Sequence, residues 1–161
     1  MEISIRTIEP KDDPALALII RNTLTEFGAN KPGTVYYDKS TNHLSGIFTT
    51  PKSFYFVALL QNRVIGGAGI FPTEGLPPGT CELVKMYLLP EARGMGLGKK
   101  LIAKCIESAK EQGYTKMYLE TMPELRAAIG MYENSGFTRL PSAIGNSGHH
   151  GCDIWMLKDL V

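Results

Sequence analysis

The chain has 161 residues, of which 43% are hydrophobic and 20% are charged. Its 17 basic and 16 acidic residues leave a formal net charge of +1, so no strong field attracts a polyanion, and nucleic acid is not expected as a partner. This length favours one domain with a complete hydrophobic core, spanning residues 1–161.

The first half of the chain contains one helical pattern and three strand-like runs. The strand-like runs alternate in polarity or are rich in aromatic and β-branched residues, and they cover residues 3–5, 54–60 and 64–71. Asp12-Asp13-Pro14 supplies a cap followed by proline, which predicts a helix from Pro14 to Phe27. Gln61-Asn62-Arg63 separates two of the strand-like runs and predicts a tight hairpin turn. Segment 28–53 has no clear period, and we interpret it as loops around one short helix near 38–46.

Strands and helices alternate in the second half of the chain. Residues 82–89 are apolar on both faces except at Glu82 and Lys85, which predicts a central strand covered on both sides. The elements predicted to follow are a helix to Gln112, a strand over 116–120, a helix from Pro123 to Gly136, a strand from Phe137, a loop over 141–151 and a strand over 153–158. The second of these helices has apolar residues at i, i+3, i+4 and i+7, which places all four on one inward stripe: Leu125, Ala128, Ile129 and Tyr132.

A glycine-rich segment, Arg93-Gly94-Met95-Gly96-Leu97-Gly98, connects the central strand to the next helix. Glycines at alternate positions permit positive φ and leave backbone N–H groups uncovered at the positive end of that helix, which predicts a phosphate or pyrophosphate site. The alternative is a plain strand-to-helix turn, because a glycine spacing alone is weak evidence. Lys99-Lys100 stands where a P-loop requires Lys-Ser or Lys-Thr, so a P-loop nucleotide site is not indicated.

The cysteine pattern and the lengths of the apolar runs predict the cellular compartment of the protein. Cys81, Cys105 and Cys152 are odd in number and widely spaced, which argues against a disulfide framework and fits a reducing environment. No apolar run approaches the ~20 residues needed to cross a bilayer. The chain also begins without a basic segment leading into an apolar signal core. We therefore expect a cytoplasmic protein with no membrane partner.

Two motifs in the second half fit one known family. Arg93, Gly96 and Gly98 fill the pattern Gln or Arg, two residues, Gly, one residue, Gly or Ala. Residues 128–137 follow the pattern Ala-x-x-x-Tyr-Glu-x-x-Gly-Phe. With these motifs, and with the order of its elements from Ile3 to Lys158, the chain resembles the GNAT superfamily of acetyl-CoA-dependent N-acyltransferases. The resemblance implies a single α/β domain with a mixed central sheet of about six to seven strands flanked by helices on both faces.

The resemblance also implies acetyl-CoA as the cofactor, with coenzyme A as the product and no metal. The residues expected to bind it are Met86, Leu88, Arg93, Gly94, Met95, Gly96, Leu97, Gly98 and Lys99. Backbone N–H groups of 95–99 are expected to hold the pyrophosphate, with added charge from Arg93. Backbone groups near Met86 and Leu88 are expected to pair with the pantetheine arm like an added strand. Many family members contact this arm through an asparagine, but this chain has Leu125 at that position.

Three residues are candidates for the chemistry. An alkyl ammonium with a pKa near ~10 cannot attack a thioester until it loses a proton. Glu82 lies eleven residues before Arg93, the separation at which one branch of the family carries its glutamate base, and burial would raise its pKa into a useful range. The resemblance assigns the oxyanion donor to the Met86 N–H and the general acid to Tyr132. The alternatives are a glutamate at the frayed start of the strand, exposed or paired with a lysine, and a tyrosine that only fills the core.

The predicted function is acetyl transfer to a primary amine of a small-molecule or amino-acid-like acceptor, directly in a ternary complex. No cysteine has a local histidine that would activate a thiolate, so a covalent acetyl-enzyme is not expected. The alternatives are acetylation of a protein or peptide amine, a non-catalytic acyl-CoA sensor, and a nucleotide-binding module. We expect a monomer or a homodimer.

Residues outside the shared motifs are expected to select the acceptor. The candidates are Tyr36, Tyr37, His43 and His149. His149, His150 and Cys152 could also suggest a metal cluster, but three close ligands without a fourth are a poor zinc pattern. We therefore interpret them as loop or acceptor-site residues.

Overall fold

Seven strands form one mixed sheet in the computed structural model, which describes residues 2–161. In chain order the strands are β1 (Ile3–Thr7), β2 (Phe54–Leu60), β3 (Arg63–Phe71), β4 (Thr80–Leu88), β5 (Lys116–Thr121), β6 (Thr138–Leu140) and β7 (Ile154–Asp159). Their order across the sheet is β1-β2-β3-β4-β5-β7-β6. β4 and β5 form a parallel pair, and the other neighbours are antiparallel. The mixed α/β sheet expected from the sequence is confirmed.

The helices are α1 (Asp13–Glu26), α2 (Leu44–Ile47), α3 (Leu97–Glu111) and α4 (Arg126–Asn134). The segment interpreted as one short helix near 38–46 instead contains two 3-10 turns, Val35–Tyr37 and Lys39–His43, followed by α2. None of the helices in residues 2–161 combines the length and the apolar character that crossing a bilayer requires.

Each face of the sheet carries its own hydrophobic core. On one face, Leu101, Ile102 and Cys105 of α3 pack in a cluster that also contains Ile65 and Ile70 of β3 and reaches Tyr132 and Phe137 beyond it. On the other face, the residues contributed by α1 are Leu16, Ile20 and Leu24, which cluster with Tyr55, Val57 and Leu59 of β2. Burying large apolar side chains on both faces is the main source of stability, at about 25 cal/mol per Å² removed from water.

Two residues close the hairpin between β2 and β3. Gln61 and Asn62 have φ values of 51° and 66°, the pair of positive angles that a type I′ turn requires. Arg63, which the sequence placed in the turn, is therefore the first residue of β3.

A β-bulge shapes the middle of β4. Gly67 and Gly69 of β3 lie opposite Tyr87 and Val84, so β4 contains one extra residue over this stretch. Lys85 lies within the bulge with φ 52°, and its carbonyl accepts a 2.7 Å hydrogen bond from the Tyr55 hydroxyl. The extra residue shifts the alternation of side chains, so Leu83 and Met86 both contact the core on the α3 face.

Beyond the start of their pairing, β4 and β5 separate. Their pairing covers only Thr80 to Glu82 of β4, against Lys116 to Tyr118 of β5. From Leu83 onward, this edge of β4 has no strand partner among residues 2–161. The divergence opens the sheet next to the residues selected as site candidates.

Helix α4 begins three residues later than predicted, at Arg126 rather than Pro123. The N–H of Leu125 donates to the carbonyl of Met122 and closes a turn, and the φ/ψ values of Leu125, −94° and 55°, are not helical. Leu125 is therefore the N-cap residue. It packs in the cluster on the α1 face, whereas Ala128 and Tyr132 contact the cluster on the α3 face, so the single inward stripe predicted from the sequence is wrong at this residue.

Candidate active site

A cleft of about 630 Å³ lies where β4 and β5 diverge. This size is typical of a small-molecule or cofactor site. Of the residues selected from the sequence, those that line it are Glu82, Met86, Leu88, Arg93, Gly94, Gly96, Leu97, Gly98, Lys99 and Tyr132. Met95 is the exception, because its side chain points into solvent with 43% of its surface exposed. The cleft therefore brings the predicted binding and catalytic residues together.

The glycine loop supplies uncovered backbone N–H groups at one end of the cleft. Gly94 and Gly96 both have φ of 79°, and a Cβ at either would meet no atom within 4 Å, so backbone conformation rather than crowding requires glycine. Gly96 is the N-cap of α3, and Lys100 makes the first helical bond to its carbonyl. The N–H groups of residues 97–99 have no helical acceptor. This arrangement fits an anion such as a diphosphate.

Gly98 packs against α4. It lies in the first turn of α3, and a Cβ there would come within 2.5 Å of the Sδ atom near the end of the Met131 side chain, which would have to move. Both residues line the cleft, so the methionine side chain packs over the glycine at this end of it.

Arg93 forms contacts with two other parts of the protein, the end of α1 and β4. Its guanidinium donates two hydrogen bonds to the Glu26 carboxylate, at 2.8 and 3.1 Å, and contacts the Phe27 ring with 5.1 Å to the centroid. It also donates to the carbonyl of Leu88, at 3.1 and 3.3 Å. The pairing with Glu26 lowers the pKa of that carboxyl. Arg93 therefore joins the end of α1 to β4 and the loop, a contact that sequence reasoning did not find.

Glu82 is a buried acid at the point where β4 and β5 separate. Only 4% of its surface is exposed, and its Oε1 atom accepts a 2.5 Å hydrogen bond from the Thr73 hydroxyl. Burial raises the pKa of Glu82 to about 7; the hydrogen bond from Thr73 opposes this, and the charge of Glu120 adds to it. The alternative of an exposed glutamate at a frayed strand end is therefore wrong.

A second carboxylate, Glu120 at the end of β5, lies next to Glu82. It accepts a 2.6 Å hydrogen bond from the Tyr118 hydroxyl and another from the Ser147 hydroxyl. No sequence motif marks Glu120 as a site residue. Glu82 lies opposite Tyr118 in the parallel pairing of β4 and β5, so Glu120 lies two residues further along the neighbouring strand, a register that local sequence patterns do not reveal.

His149 connects this pair of acids to the protein surface. Its Nε2 atom lies 2.6 Å from Asp38 Oδ2, and its Nδ1 atom lies 3.9 Å from Glu120 Oε1. Burial raises the pKa of Asp38, but the hydrogen bond and charge of His149 outweigh it and lower that pKa on balance. His149 lines the cleft, whereas Tyr36, Tyr37 and His43, the other acceptor-site candidates, do not.

The residues that could hold a metal differ from those considered in the sequence. The ring of His150 packs against Gly33, and Cys152 is a buried thiol whose pKa burial raises to about 12. Ligand atoms of Glu82, Glu120 and His149 instead lie within 4.8 Å of one another. Three such groups facing a cleft have the spacing to hold a divalent cation or to surround an alkylammonium group.

Tyr132 lines the cleft from α4. It is 7% exposed and packs edge to face against Phe137, with 6.0 Å between ring centroids. Burial raises the pKa of its hydroxyl above the usual range, so the phenol is protonated at neutral pH. Within residues 2–161 no group forms a hydrogen bond with this hydroxyl, which suits a phenol whose partner is a bound ligand.

The comparisons with known proteins agree on one family. The model of the acetyltransferase (GNAT) family matches residues 19–137. An uncharacterized N-acetyltransferase of Escherichia coli K12, YjgM, is 40% identical over 158 residues, covering 97% of this chain and 94% of that protein. Human N-acetyltransferase 8B is 28% identical over 120 residues, covering 70% of this chain and 53% of that protein.

Solved structures share the fold at lower sequence identity. A GNAT-family acetyltransferase from Staphylococcus aureus Mu50 superposes with a TM-score of 0.83 at 21% identity, covering 99% of this chain and all of that one (100%). The acetyltransferase yncA from Salmonella typhimurium, solved with acetyl-CoA, gives a TM-score of 0.77 at 20% identity and covers 100% of this chain and 95% of that one.

Proposed function

This chain belongs to the acetyltransferase (GNAT) family and is an N-acetyltransferase, and we propose that it moves an acetyl group from acetyl-CoA directly to the primary amine of a small-molecule or amino-acid-like acceptor. One observation carries the proposal: the buried Glu82 carboxyl and the unpartnered Tyr132 hydroxyl line the same cleft as the glycine loop. A base, an acid and an anion-binding loop are the groups that this transfer needs.

The residues present fit acetyl-CoA, which supplies a thioester as the activated acetyl group. The N–H groups of residues 97–99 and the positive-φ backbone at Gly94 and Gly96 would hold its diphosphate. The unpaired edge of β4 from Leu83 to Leu88 would pair with the pantetheine arm. Leu125 offers no amide to that arm, so the backbone of β4 would supply the polar contacts there.

Glu82 is the proposed base. With a pKa of about 7, it is ionised in a substantial fraction of molecules at neutral pH and still basic enough to accept a proton. Glu120 places a second negative charge beside it, which favours an acceptor that arrives as an ammonium ion. Glu82 then takes the proton from that ammonium, directly or through a water molecule, and the neutral amine attacks.

The Met86 N–H and the Tyr132 hydroxyl have the complementary roles. Met86 follows the bulge on the unpaired edge of β4, where its N–H would donate to the thioester carbonyl as negative charge develops on the oxygen. Tyr132, protonated at neutral pH, would give its proton to the departing thiolate.

The cysteines support direct transfer rather than a covalent acetyl-enzyme. All three are buried, and burial raises the pKa of Cys81 and of Cys152 to about 12 and that of Cys105 still further. A nucleophilic cysteine instead needs a lowered pKa. Mass spectrometry of protein quenched during turnover should therefore find no acetyl adduct on any cysteine.

Two measurements test the proposal. Calorimetric titration with acetyl-CoA should show binding that ATP and NAD do not reproduce. A panel of primary amines, assayed by release of free thiol, should then identify small acceptors that outperform basic peptides, because the net charge of +1 provides no attraction for a polycationic chain. Binding with slow thioester hydrolysis and no acceptor would instead favour an acyl-CoA sensor. The cytoplasmic location and the monomeric or homodimeric state stay predictions.

A further inference from the structure

Lys85 is a half-buried cation with no direct partner. It lines the cleft, yet its ammonium forms no hydrogen bond and no ion pair within 4.0 Å among residues 2–161. Burial lowers its pKa, and the negative charges nearby that oppose this shift belong to Asp38 and Glu82. A desolvated ammonium is costly unless a counter-charge meets it.

The two acids near Lys85 are held by other groups. Glu82 accepts the 2.5 Å hydrogen bond from Thr73, and Asp38 lies 2.6 Å from the ring of His149. Neither carboxylate contacts the lysine directly. The ammonium is therefore available to an anion that enters the cleft.

The bulge in β4 determines where this ammonium lies. Leu83 and Met86 face the α3 core, so the alternation of side chains leaves Glu82 and Lys85 together on the opposite face. The proposed base and the free ammonium thus occupy the same part of the cleft, beside the backbone of Met86. Glu120 lies on the far side of Glu82 across the strand divergence.

We propose that Lys85 binds an anionic group of the acceptor, so that the acceptor is an amino acid or a similar amine carrying a carboxylate, with its ammonium between Glu82 and Glu120. The inference rests on the proposed function and specifies its substrate class. The carboxylate of such an acceptor would lie against the Lys85 ammonium, and its own ammonium would lie against the Glu82 and Glu120 carboxylates. A diamine of the same length would instead place a second cation against Lys85, so the same residue rejects polyamines.

The test uses three acceptor series with matched chain lengths: ω-amino acids with one to four methylene groups, the corresponding alkylamines, and the corresponding diamines. The kcat/KM for each is measured by thiol release with wild-type protein, Lys85→Met and Lys85→Arg. Methionine matches the lysine side chain as far as Cε and keeps the same strain at φ 52° while removing the charge. Lys110→Met, at an exposed lysine near the end of α3, is the matched control.

We expect wild-type protein to prefer the best amino acid over its alkylamine by at least ~10-fold, the usual minimum for a partly desolvated charge pair. Lys85→Met should lose this preference and gain with diamines, whereas Lys85→Arg and Lys110→Met should retain the preference. An equal loss with amino acids and alkylamines in Lys85→Met would mean that the lysine is only structural and would overturn the inference.

Failure of the inference can be separated from failure of the proposed function. If alkylamines react and no amino acid does, the transferase stands and the role of Lys85 is wrong. If no amine of any series reacts, the inference is also overturned. The acetyl-CoA titration then tests the proposed function itself. Binding without transfer would indicate an acyl-CoA sensor, and absence of binding would contradict the proposed function as well.

Discussion

The Thr73 hydroxyl donates a 2.5 Å hydrogen bond to Oε1 of Glu82, from the loop between β3 and β4. Burial alone would push the pKa of this carboxyl higher, and the hydrogen bond to the ionised form opposes that shift. The two effects together leave the pKa at about 7. Thr73 is therefore a positioning residue that tunes the proposed base.

Replacing Thr73 by valine should raise the pKa of Glu82, because the ionised form loses a stabilising donor. A hydrogen bond to a charged group contributes about 1.5–3 kcal/mol, so the acid limb of the kcat/KM profile should move upward by roughly 1–2 pH units. Thr73→Ser keeps the hydroxyl and should leave the limb in place. An unchanged limb in Thr73→Val would show that the hydrogen bond does not tune Glu82.

Glu82→Gln should make the protein more stable at alkaline pH while lowering its activity. The pKa of Glu82 is raised in the folded state from 4.5 to about 7, so the folded protein binds a proton that the unfolded chain releases. Stability therefore falls as pH rises between these values. The difference corresponds to an order of 3 kcal/mol, and we expect a gain of roughly 1–3 kcal/mol in the variant at pH ~8. Urea unfolding measures it, and the gain should be much smaller at pH ~5.

Tyr132→Phe should slow thiol release by about 10-fold or more and leave the affinity for acetyl-CoA nearly unchanged. The hydroxyl has no protein partner within residues 2–161, so the variant should keep its thermal stability. Tyr114→Phe is the matched control, because its hydroxyl donates to the carbonyl of Lys52. That variant should lose about 1 kcal/mol of stability and keep its rate. Collapse of acetyl-CoA binding in Tyr132→Phe would make the residue structural.

Glu26→Gln should tighten binding of acetyl-CoA by up to about 5-fold, the limit for a partly exposed ion pair. The substitution removes a negative charge beside the phosphate loop and frees the guanidinium of Arg93 for the diphosphate. Arg93→Ala should weaken binding, and the effect should shrink as salt concentration rises. Calorimetric titration measures each change. Weaker binding in Glu26→Gln would mean that Arg93 acts only by holding the loop to α1 and Leu88.

Local patterns predicted the parts of the site that belong to one continuous segment. The glycine loop and α3 could be predicted because positive φ favours glycine and because apolar residues recur at helical spacing in the sequence. Tyr132 was selected from a helix motif, and the structure places it at the cleft. The predicted start of α4 was wrong because the turn from Met122 to Leu125 competes with helix initiation at Pro123. Hydrophobic periodicity does not reveal such a turn.

Contacts between distant segments could not be predicted. Asp38 and His149 are 111 residues apart and meet only because two loops without regular periodicity fold over the same end of the sheet. Lys85 interrupts an apolar strand in the sequence, but its place beside Glu82 depends on the bulge, which is visible only in the register of β3 and β4. The arrangement of residues on the acceptor side of the cleft therefore could not be predicted from the sequence and is known only from the structure.

The pH dependence of kcat/KM, measured with an alkylamine of pKa near ~10, tests the role of Glu82 most directly. If ionised Glu82 takes a proton from a bound ammonium, the wild-type profile should rise to a plateau above pH 7, and Glu82→Gln should instead rise by one log unit per pH unit across the whole range from ~6 to ~9. Parallel profiles for the two proteins would contradict the assignment of Glu82 as the base.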